Sequence, residues 1–326
     1  MKSAYFADAG PLWAITSFYN PSGYARRRHN YRLFRHHLQV PLLTVELAYA
    51  GGFELADSDA EILVRCSGGD VLWQKERLLN VALERLPPTC TQVAWVDCDV
   101  LFERDDWAVV LSRQLERTPL VQPYSRALHL RRDAPLNRSP ADGDILFIRE
   151  AVAGLVARGA SAADYLGHFG GQRRYKRSPG HVWAARREIL QRHGLYDACI
   201  TGGGDTAIAS AAYGCPEEVV NFQTLSAPHA RHYRAWAESF HQSVRGEVGW
   251  LEGDLLHLWH GEAANRGVPQ RYYDLASFDF EPEADIAISE DGCWRWNSDK
   301  PGLHAVLREY FAARKEDGAA LRQGVT

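Results

Sequence analysis

QVAWVDCDVLF, residues 92–102, reads as an apolar strand with Asp97-Cys98-Asp99 set at the end of its VAWV run. No charged residue falls between Val93 and Val96, the pattern of a strand covered on both faces. In an open α/β sheet ligands sit in the crevice beyond the carboxyl ends of the strands, so two carboxylates emerging there face whatever is bound. An Asp-x-Asp in that place suits a hard divalent cation that also grips a diphosphate. Mg²⁺ or Mn²⁺ takes few protein carboxylates and completes its shell with phosphate oxygens and water. Elsewhere in a chain the same tripeptide caps a helix or solvates a loop about as often; the charge-free strand before it points to function.

Working outward, LWAITSFYN (12–20) reads as a buried first strand ending in the turn signal NPSG. A helix is expected over 24–38, strands over 42–49 and 61–66, and a helix over 73–86. Beyond the Asp pair come a helix near 106–117, a strand near 120–124 and an irregular loop over 131–144. WAARREILQRHG (183–194) reads as a helix and TGGGD (201–205) as a turn opening another helix over 206–213. LLHLWHG (255–261) is strand-like, and LHAVLREYFAARKED (303–317) is a terminal amphipathic helix. Strands alternating with helices give an α/β fold, a mostly parallel sheet flanked by helices. The expected organisation is one domain in two halves (1–125 and 126–275) followed by a C-terminal acidic segment with its helix (276–326).

The 326 residues are 46% hydrophobic and 24% charged, which excludes a disordered or fibrous chain. No stretch approaches 18 uncharged apolar residues and the first apolar run breaks at Asp8, so neither a membrane span nor a secretory signal is expected, and the location is expected to be cytoplasmic. Six cysteines without a CxxC pair argue against a zinc ribbon or a disulfide framework and read as reduced, mostly buried thiols. The net charge of −4 hides an acidic block over 272–299, so the rest of the chain is slightly cationic. Nearly all the cations are arginines, whose planar fork suits phosphate, although a GC-rich genome gives the same bias.

Two further signals carry chemistry. HLWHG offers His257 and His260, which on an extended segment three residues apart point to opposite faces. One of them is expected as a metal ligand and the other, His257, as a hydrogen-bonded core residue. Gly202-Gly203-Gly204-Asp205 lets backbone approach a ligand closely, with Asp205 as a helix cap or as a general base for an acceptor hydroxyl. A zinc hydrolase built on Asp254, His257 and His260 lacks an HExxH pattern.

In this order the signals resemble a GT-A-fold (Rossmann-like) glycosyltransferase, with blocks similar to the Golgi galactosyltransferase family. WQKERLLNVAL (73–83) resembles that family's aromatic-x-basic-x-basic-Leu-Leu-Asn-Val helix, and AWVDCDVLFERDDW (94–107) its metal-binding strand end. GHVWAARREILQRHGLYD (180–197) resembles the segment preceding the family's Gly-Gly-Glu-Asp, here replaced by TGGGD with a single acid. WHGEAANRGVPQRYYDL (259–275) resembles its ligand histidine and the Pro-Gln-Arg-aromatic run. The resemblance implies Asp99 and His260 as ligands of Mn²⁺ (or Mg²⁺), with Asp97 on the donor ribose or the ion's water shell. It implies Lys75, Arg77 and Asn80 beside the nucleotide, and Thr16, Phe18 and Asn20 around uracil and ribose. Asp205 is implied as the catalytic base of an inverting transfer from a UDP-hexose.

Two acceptors are open at this stage. One is a saccharide or cell-envelope glycan precursor, with Trp183, Trp236, Trp250 or Trp259 as a stacking platform. The other, preferred from the sequence, is DNA bearing 5-hydroxymethylated pyrimidines. Soluble phage and protist glucosyltransferases modify such bases, and the arginines of 26–37, Arg131, Arg132 and the RRYKR cluster (173–177) would contact phosphates. A non-catalytic nucleotide-sugar-binding protein is the alternative of a different class.

Overall fold

The computed structural model describes residues 11–136, 139–167, 176–268 and 270–318. In chain order the first half contains β1 (Leu12–Tyr19), α1 (Ala25–His37), β2 (Leu42–Leu47), β3 (Ile62–Cys66), α2 (Lys75–Arg85), β4 (Gln92–Val96), β5 (Val100–Phe102), α3 (Trp107–Leu115), β6 (Leu120–Gln122), β7 (Arg126–Leu130) and β8 (Ile145–Ala151). Next come α4 (Val152–Ala157), α5 (Ala162–Leu166), β9 (Arg177–Ser178), β10 (Val182–Arg186), α6 (Arg187–His193), α7 (Gly204–Ala212), α8 (Pro216–Phe222) and α9 (Ala227–Val244). The chain closes with β11 (Val248–Trp250), β12 (Asp254–His257), α10 (Gln270–Ala276), α11 (Pro282–Asp285), β13 (Ile286–Ile288), β14 (Trp294–Trp296) and α12 (Pro301–Ala313).

Seven strands form the main sheet in the order β11-β6-β10-β4-β1-β2-β3. Every pair is parallel except those that β10 makes with β4 and β6. The architecture is therefore the expected α/β one. Alternation along the strands sends Trp13, Ile15, Val93 and Trp95 to one face, where Leu78, Leu79 and Ala82 of α2 cover them. Ala14, Ala94 and Val96 go to the other face with Trp107 and Leu111 of α3. Both faces are buried, which is why these strands carry no polar alternation. A second sheet, β5-β12-β7-β8-β9, stands beside the first.

Three expected elements differ. Residues 92–102 are two strands, β4 and β5, in different sheets, because the chain turns through Asp97-Cys98-Asp99. The expected helix over 183–194 begins as β10 and becomes helical at Arg187. A short apolar run such as Val182–Ala185 has no periodicity that separates a buried strand from a helix, and pairing with β4 decides it. The terminal helix stops at Ala313 and residues 314–318 fold back across the protein. Among the described residues no helix is long and apolar enough to cross a membrane. All six cysteines are free.

Candidate active site

The turn between the two sheets builds the site. Asp97 N donates to His181 O at 2.8 Å, and Leu258 N donates to Asp99 O at 2.8 Å. These two bonds tie the Asp-x-Asp to the start of β10 on one side and the end of β12 on the other. They gather His181, His257 and His260 around the carboxylates. In β12, His257 is in register with His129 of β7, so a fourth imidazole lies beside it, with ring centroids 4.4 Å apart.

Asp99, His257 and His260 present ligand atoms all within 4.8 Å of one another. His260 Nε2 lies 3.3 Å from Asp99 Oδ2 and 3.2 Å from His257 Nε2, while His257 Nε2 lies 3.9 Å from Asp99 Oδ1. Metal–ligand bonds of roughly 2.0–2.3 Å put neighbouring ligands of an octahedron roughly 3 Å apart, so the trio fits a divalent ion. Asp99 Oδ1 is buried with no hydrogen-bond partner, as an oxygen reserved for a cation would be. Burial, then the charge of Asp97, pushes the Asp99 carboxyl up to about 7. Burial, then the imidazoles of His129 and His181 for His257 and the guanidinium of Arg266 for His260, holds both well below the ordinary imidazole range, leaving them neutral and able to bind a metal. His257 is buried and hydrogen-bonded as expected, but the expectation that the two histidines point to opposite faces is corrected: β12 ends at His257, the chain turns, and both imidazoles face Asp99.

Lys75, at the start of α2, joins the other two acids. Its Nζ is 2.6 Å from Asp97 Oδ1 and 2.8 Å from Asp205 Oδ2. Burial opposes the ammonium, but Asp205, Asp97 and Glu76 outweigh it and hold Lys75 well above its ordinary range. Burial raises Asp97, reinforced by Asp205 and opposed by Lys75. Asp205 sits in the first turn of α7, whose amide ends favour an anion. Gly203 makes that helix start with φ +102°, where a Cβ would strike Tyr272 and Gln223, and at Gly180 a Cβ would lie 2.7 Å from Asp205 Oδ2.

Glu76, beside Lys75 and 2% exposed, has an Oε1 without a partner, and burial pushes it up to about 8. The folded protein therefore holds a proton that the unfolded chain releases near pH 4.5. Stability is expected to fall as pH rises from there to about 8 and then to level off. Glu76→Gln should unfold like the wild type at pH 5 yet be more stable by a few kcal/mol at pH 8.5, read by urea denaturation. Parallel pH curves for the two proteins would remove this account of Glu76.

One cavity of about 530 Å³ is lined by Asp97, Asp99, His257, His260, Lys75 and Asp205 together. Thr16 and Phe18, at the end of β1, also line it, although the Thr16 hydroxyl is committed to Val96 O at 2.7 Å. Other expected residues stand elsewhere. Asn20 bonds Tyr24 and Glu54, while Arg77 and Asn80 clamp Asp197 at 3.0 and 2.9 Å and do not line the cavity. Two and five positions on from Lys75, they lie about 200° and about 140° round the helix from it, which turns them away from the cavity. Trp183 is fully buried and donates to Pro179 O, and Trp236 and Trp250 do not line the cavity. Trp259 lies between Arg26 and Arg132, so the tryptophan that faces the cavity is Trp73.

The sequence reading missed the cationic wall. Arg27, Arg266, Arg271 and Arg314 line the cavity, joined by Glu316. Glu316 accepts from Arg27 Nε at 2.6 Å and from Arg314 Nε at 2.5 Å, and these guanidiniums overcome burial to hold its carboxyl far below the ordinary range. Arg314 and Glu316 arrive on the segment after α12, which Tyr24 and Asp317 fasten to the start of α1. Gly261 lets it pass, since a Cβ there would meet Arg314 O at 2.9 Å. Arg266 and Arg271 do fall inside the quoted WHGEAANRGVPQRYYDL block, so a signal for them existed.

Part of the basic run expected to meet DNA is paired within the protein, while Arg32, His29, His36 and His37 stay exposed. Arg27 pairs with Glu316, Arg28 with Glu54 and Arg35 with Glu61. Arg131 donates to Gly143 O and Arg132 to Asp317 O. Arg173, Arg174 and Tyr175 lie outside the described residues.

No protein-family model matches the sequence, and no curated protein matches it. Among solved structures the chain is similar to glucosyl-3-phosphoglycerate synthase from Mycobacterium tuberculosis, with 12% identity over 93% of this chain and 94% of that one and a TM-score of 0.38. The same enzyme in complex with Mn²⁺, UDP and glucosyl-3-phosphoglycerate gives 12% identity over 78% of this chain and 74% of that one, with a TM-score of 0.35. S. aureus TarS 1-349 gives 12% identity over 61% of this chain and 53% of that one, with a TM-score of 0.31. Similarities this low leave the family of this chain unassigned.

Proposed function

We propose that the chain is a metal-dependent glycosyltransferase of the GT-A kind that moves a hexose from a UDP-sugar to an acceptor hydroxyl with inversion. The observation that carries this reading is the convergence on one cavity of an Asp99-His257-His260 trio, a lysine-held carboxylate at Asp205 and a wall of arginines. A divalent ion, Mn²⁺ rather than Mg²⁺ for a set containing two imidazoles, would be held by Asp99, His257 and His260. When bound it supplies Lewis-acid neutralisation of the leaving diphosphate.

The chain's own residues do the rest. Thr16 and Phe18 border the base and ribose at the end of β1, and Arg266 and Arg314 face the diphosphate from the other wall. Asp205 takes the acceptor proton as the hydroxyl oxygen attacks the anomeric carbon, and Lys75 fixes its orientation. The acceptor in this reading is a small molecule or a glycan. Arg27, Arg28 and Arg35 are already paired with carboxylates, which leaves Arg32 as the exposed arginine of that run and favours a small or glycan acceptor over DNA.

The test is Mn²⁺-dependent release of UDP from a panel of UDP-hexoses, followed by transfer of labelled sugar to saccharides, small hydroxy compounds and hydroxymethylated duplex DNA. Release of UDP and transfer to a non-nucleic acceptor support the reading. Transfer to DNA alone would restore the other acceptor. Tight UDP-hexose binding with neither release nor transfer would make this a nucleotide-sugar-binding protein. Asp205→Asn is expected to keep UDP binding within about threefold and to lower transfer by roughly 10²–10⁴-fold, the size of a lost general base. Near-wild-type transfer by that variant would remove Asp205 from the base role.

A further inference from the structure

Arg266 Nη2 donates to His260 Nε2 at 2.8 Å. A neutral imidazole nitrogen that accepts has a single in-plane lone pair. That same Nε2 is one of the three atoms facing Asp99 and His257 in the trio. An arginine N–H and a metal ion cannot both use this lone pair, so occupancy of His260 by one excludes the other.

Three features say where Arg266 goes when it leaves. Its Nε is buried without a hydrogen-bond partner, and among the described residues it forms no ion pair with a carboxylate at 4.0 Å or closer, so its charge is poorly satisfied where it is. It ends a single 3₁₀ turn, Ala263–Arg266, followed by Gly267 at φ +57°, so no strand ladder fixes its position. It also lines the same cavity as Arg314, a second guanidinium brought in by the C-terminal segment. Two like charges facing one space are stabilised by an anion placed between them.

We propose that Arg266 stands in for the cation on His260, and that metal entry transfers this guanidinium to the diphosphate of the nucleotide. The divalent ion and the nucleotide then bind with positive coupling carried by one side chain. The inference rests on the reading of the cavity as a metal and UDP site. It adds that nucleotide-free Mn²⁺ must displace Arg266 without reward, whereas Mn²⁺ arriving with UDP gives Arg266 a new partner. By linkage, UDP must bind more tightly with Mn²⁺ by the same factor.

The test compares Mn²⁺ affinity, read from the free-ion EPR signal, in the full-length wild type, Arg266→Gln and Arg314→Gln, each with and without UDP. Both variants remove one positive charge from the same wall, but only Arg266 touches His260. Without nucleotide, Arg266→Gln is expected to bind Mn²⁺ at least tenfold more tightly than wild type, and Arg314→Gln less than threefold more tightly. UDP should tighten Mn²⁺ by roughly 10–100-fold in wild type, within the usual range of coupling between sites, and by distinctly less in Arg266→Gln. Because UDP also touches the ion directly, the difference between the two proteins isolates the part owed to Arg266. Equal gains in the two variants would reduce the effect to bulk charge and overturn the proposal while leaving the metal site intact. An unchanged or weaker affinity in Arg266→Gln would overturn it as well. Absence of Mn²⁺ binding by wild type and Arg266→Gln, with or without UDP, would overturn the metal-site reading together with this inference.

Discussion

Asp99→Ala is expected to abolish Mn²⁺-dependent stabilisation and to lower sugar transfer by on the order of 10³-fold or more, while the metal-free protein stays at least as stable as wild type. The first part follows from the trio. Asp99 is its only carboxylate and the only group in it that brings negative charge to a cation. Lewis-acid stabilisation of a leaving phosphate is worth several kcal/mol, and each 1.36 kcal/mol is tenfold in rate. The second part separates this variant from an ordinary core mutation. Burial and Asp97 push the Asp99 carboxyl up to about 7, and its Oδ1 has no hydrogen-bond partner. At neutral pH the unliganded protein therefore carries this carboxylate at a cost, and removing it relieves that cost. Thermal unfolding with and without Mn²⁺, together with transfer rates, checks both parts. A variant that keeps the wild-type Mn²⁺ shift in Tm would show that the ion, if bound, is held elsewhere.

How much of this was visible beforehand follows from the range of the forces involved. The charge-free run from Val93 to Val96 announces a doubly covered strand, and the acids after it announce a strand-end site, because both are local facts. That the chain turns at once into a second sheet is not local. It depends on Asp97 N meeting His181 O and Leu258 N meeting Asp99 O, partners 84 and 159 residues away in sequence. The same turn makes both histidines of HLWHG face Asp99, which no alternation rule for an extended segment foresees. Arg314 and Glu316 read as the last turn of an amphipathic helix. Their place in the site comes from Tyr24 and Asp317 fastening the segment to α1. Arg77 and Asn80 show the converse error: a motif match gave them a role beside the nucleotide, whereas the helix turns them toward Asp197.

Lys75→Met should be the most damaging single change to the fold of the site, costing about 3–5 kcal/mol, the size found when one partner of a buried ion cluster is removed. Lys75 is 7% exposed, and its Nζ contacts both Asp97 and Asp205, so methionine fills the volume but leaves two carboxylates without their countercharge. Glu76 stays protonated up to about pH 8 and so adds no third negative charge to them. A variant this destabilised loses transfer for a structural reason, so a second substitution is needed to learn what Lys75 does for catalysis. In Lys75→Met with Asp205→Asn one of the stranded carboxylates becomes neutral, and urea denaturation should show at least a third of the lost stability returning. Transfer should not return, because the base is gone. Asp205→Asn alone keeps the pair of Lys75 with Asp97 and should stay within about 1–2 kcal/mol of wild type, the scale of one exchanged buried hydrogen bond. If the double variant were no more stable than Lys75→Met, the lysine would act through packing rather than charge. If the double variant transferred sugar at more than a few per cent of the wild-type rate, neither residue would be part of the proton path.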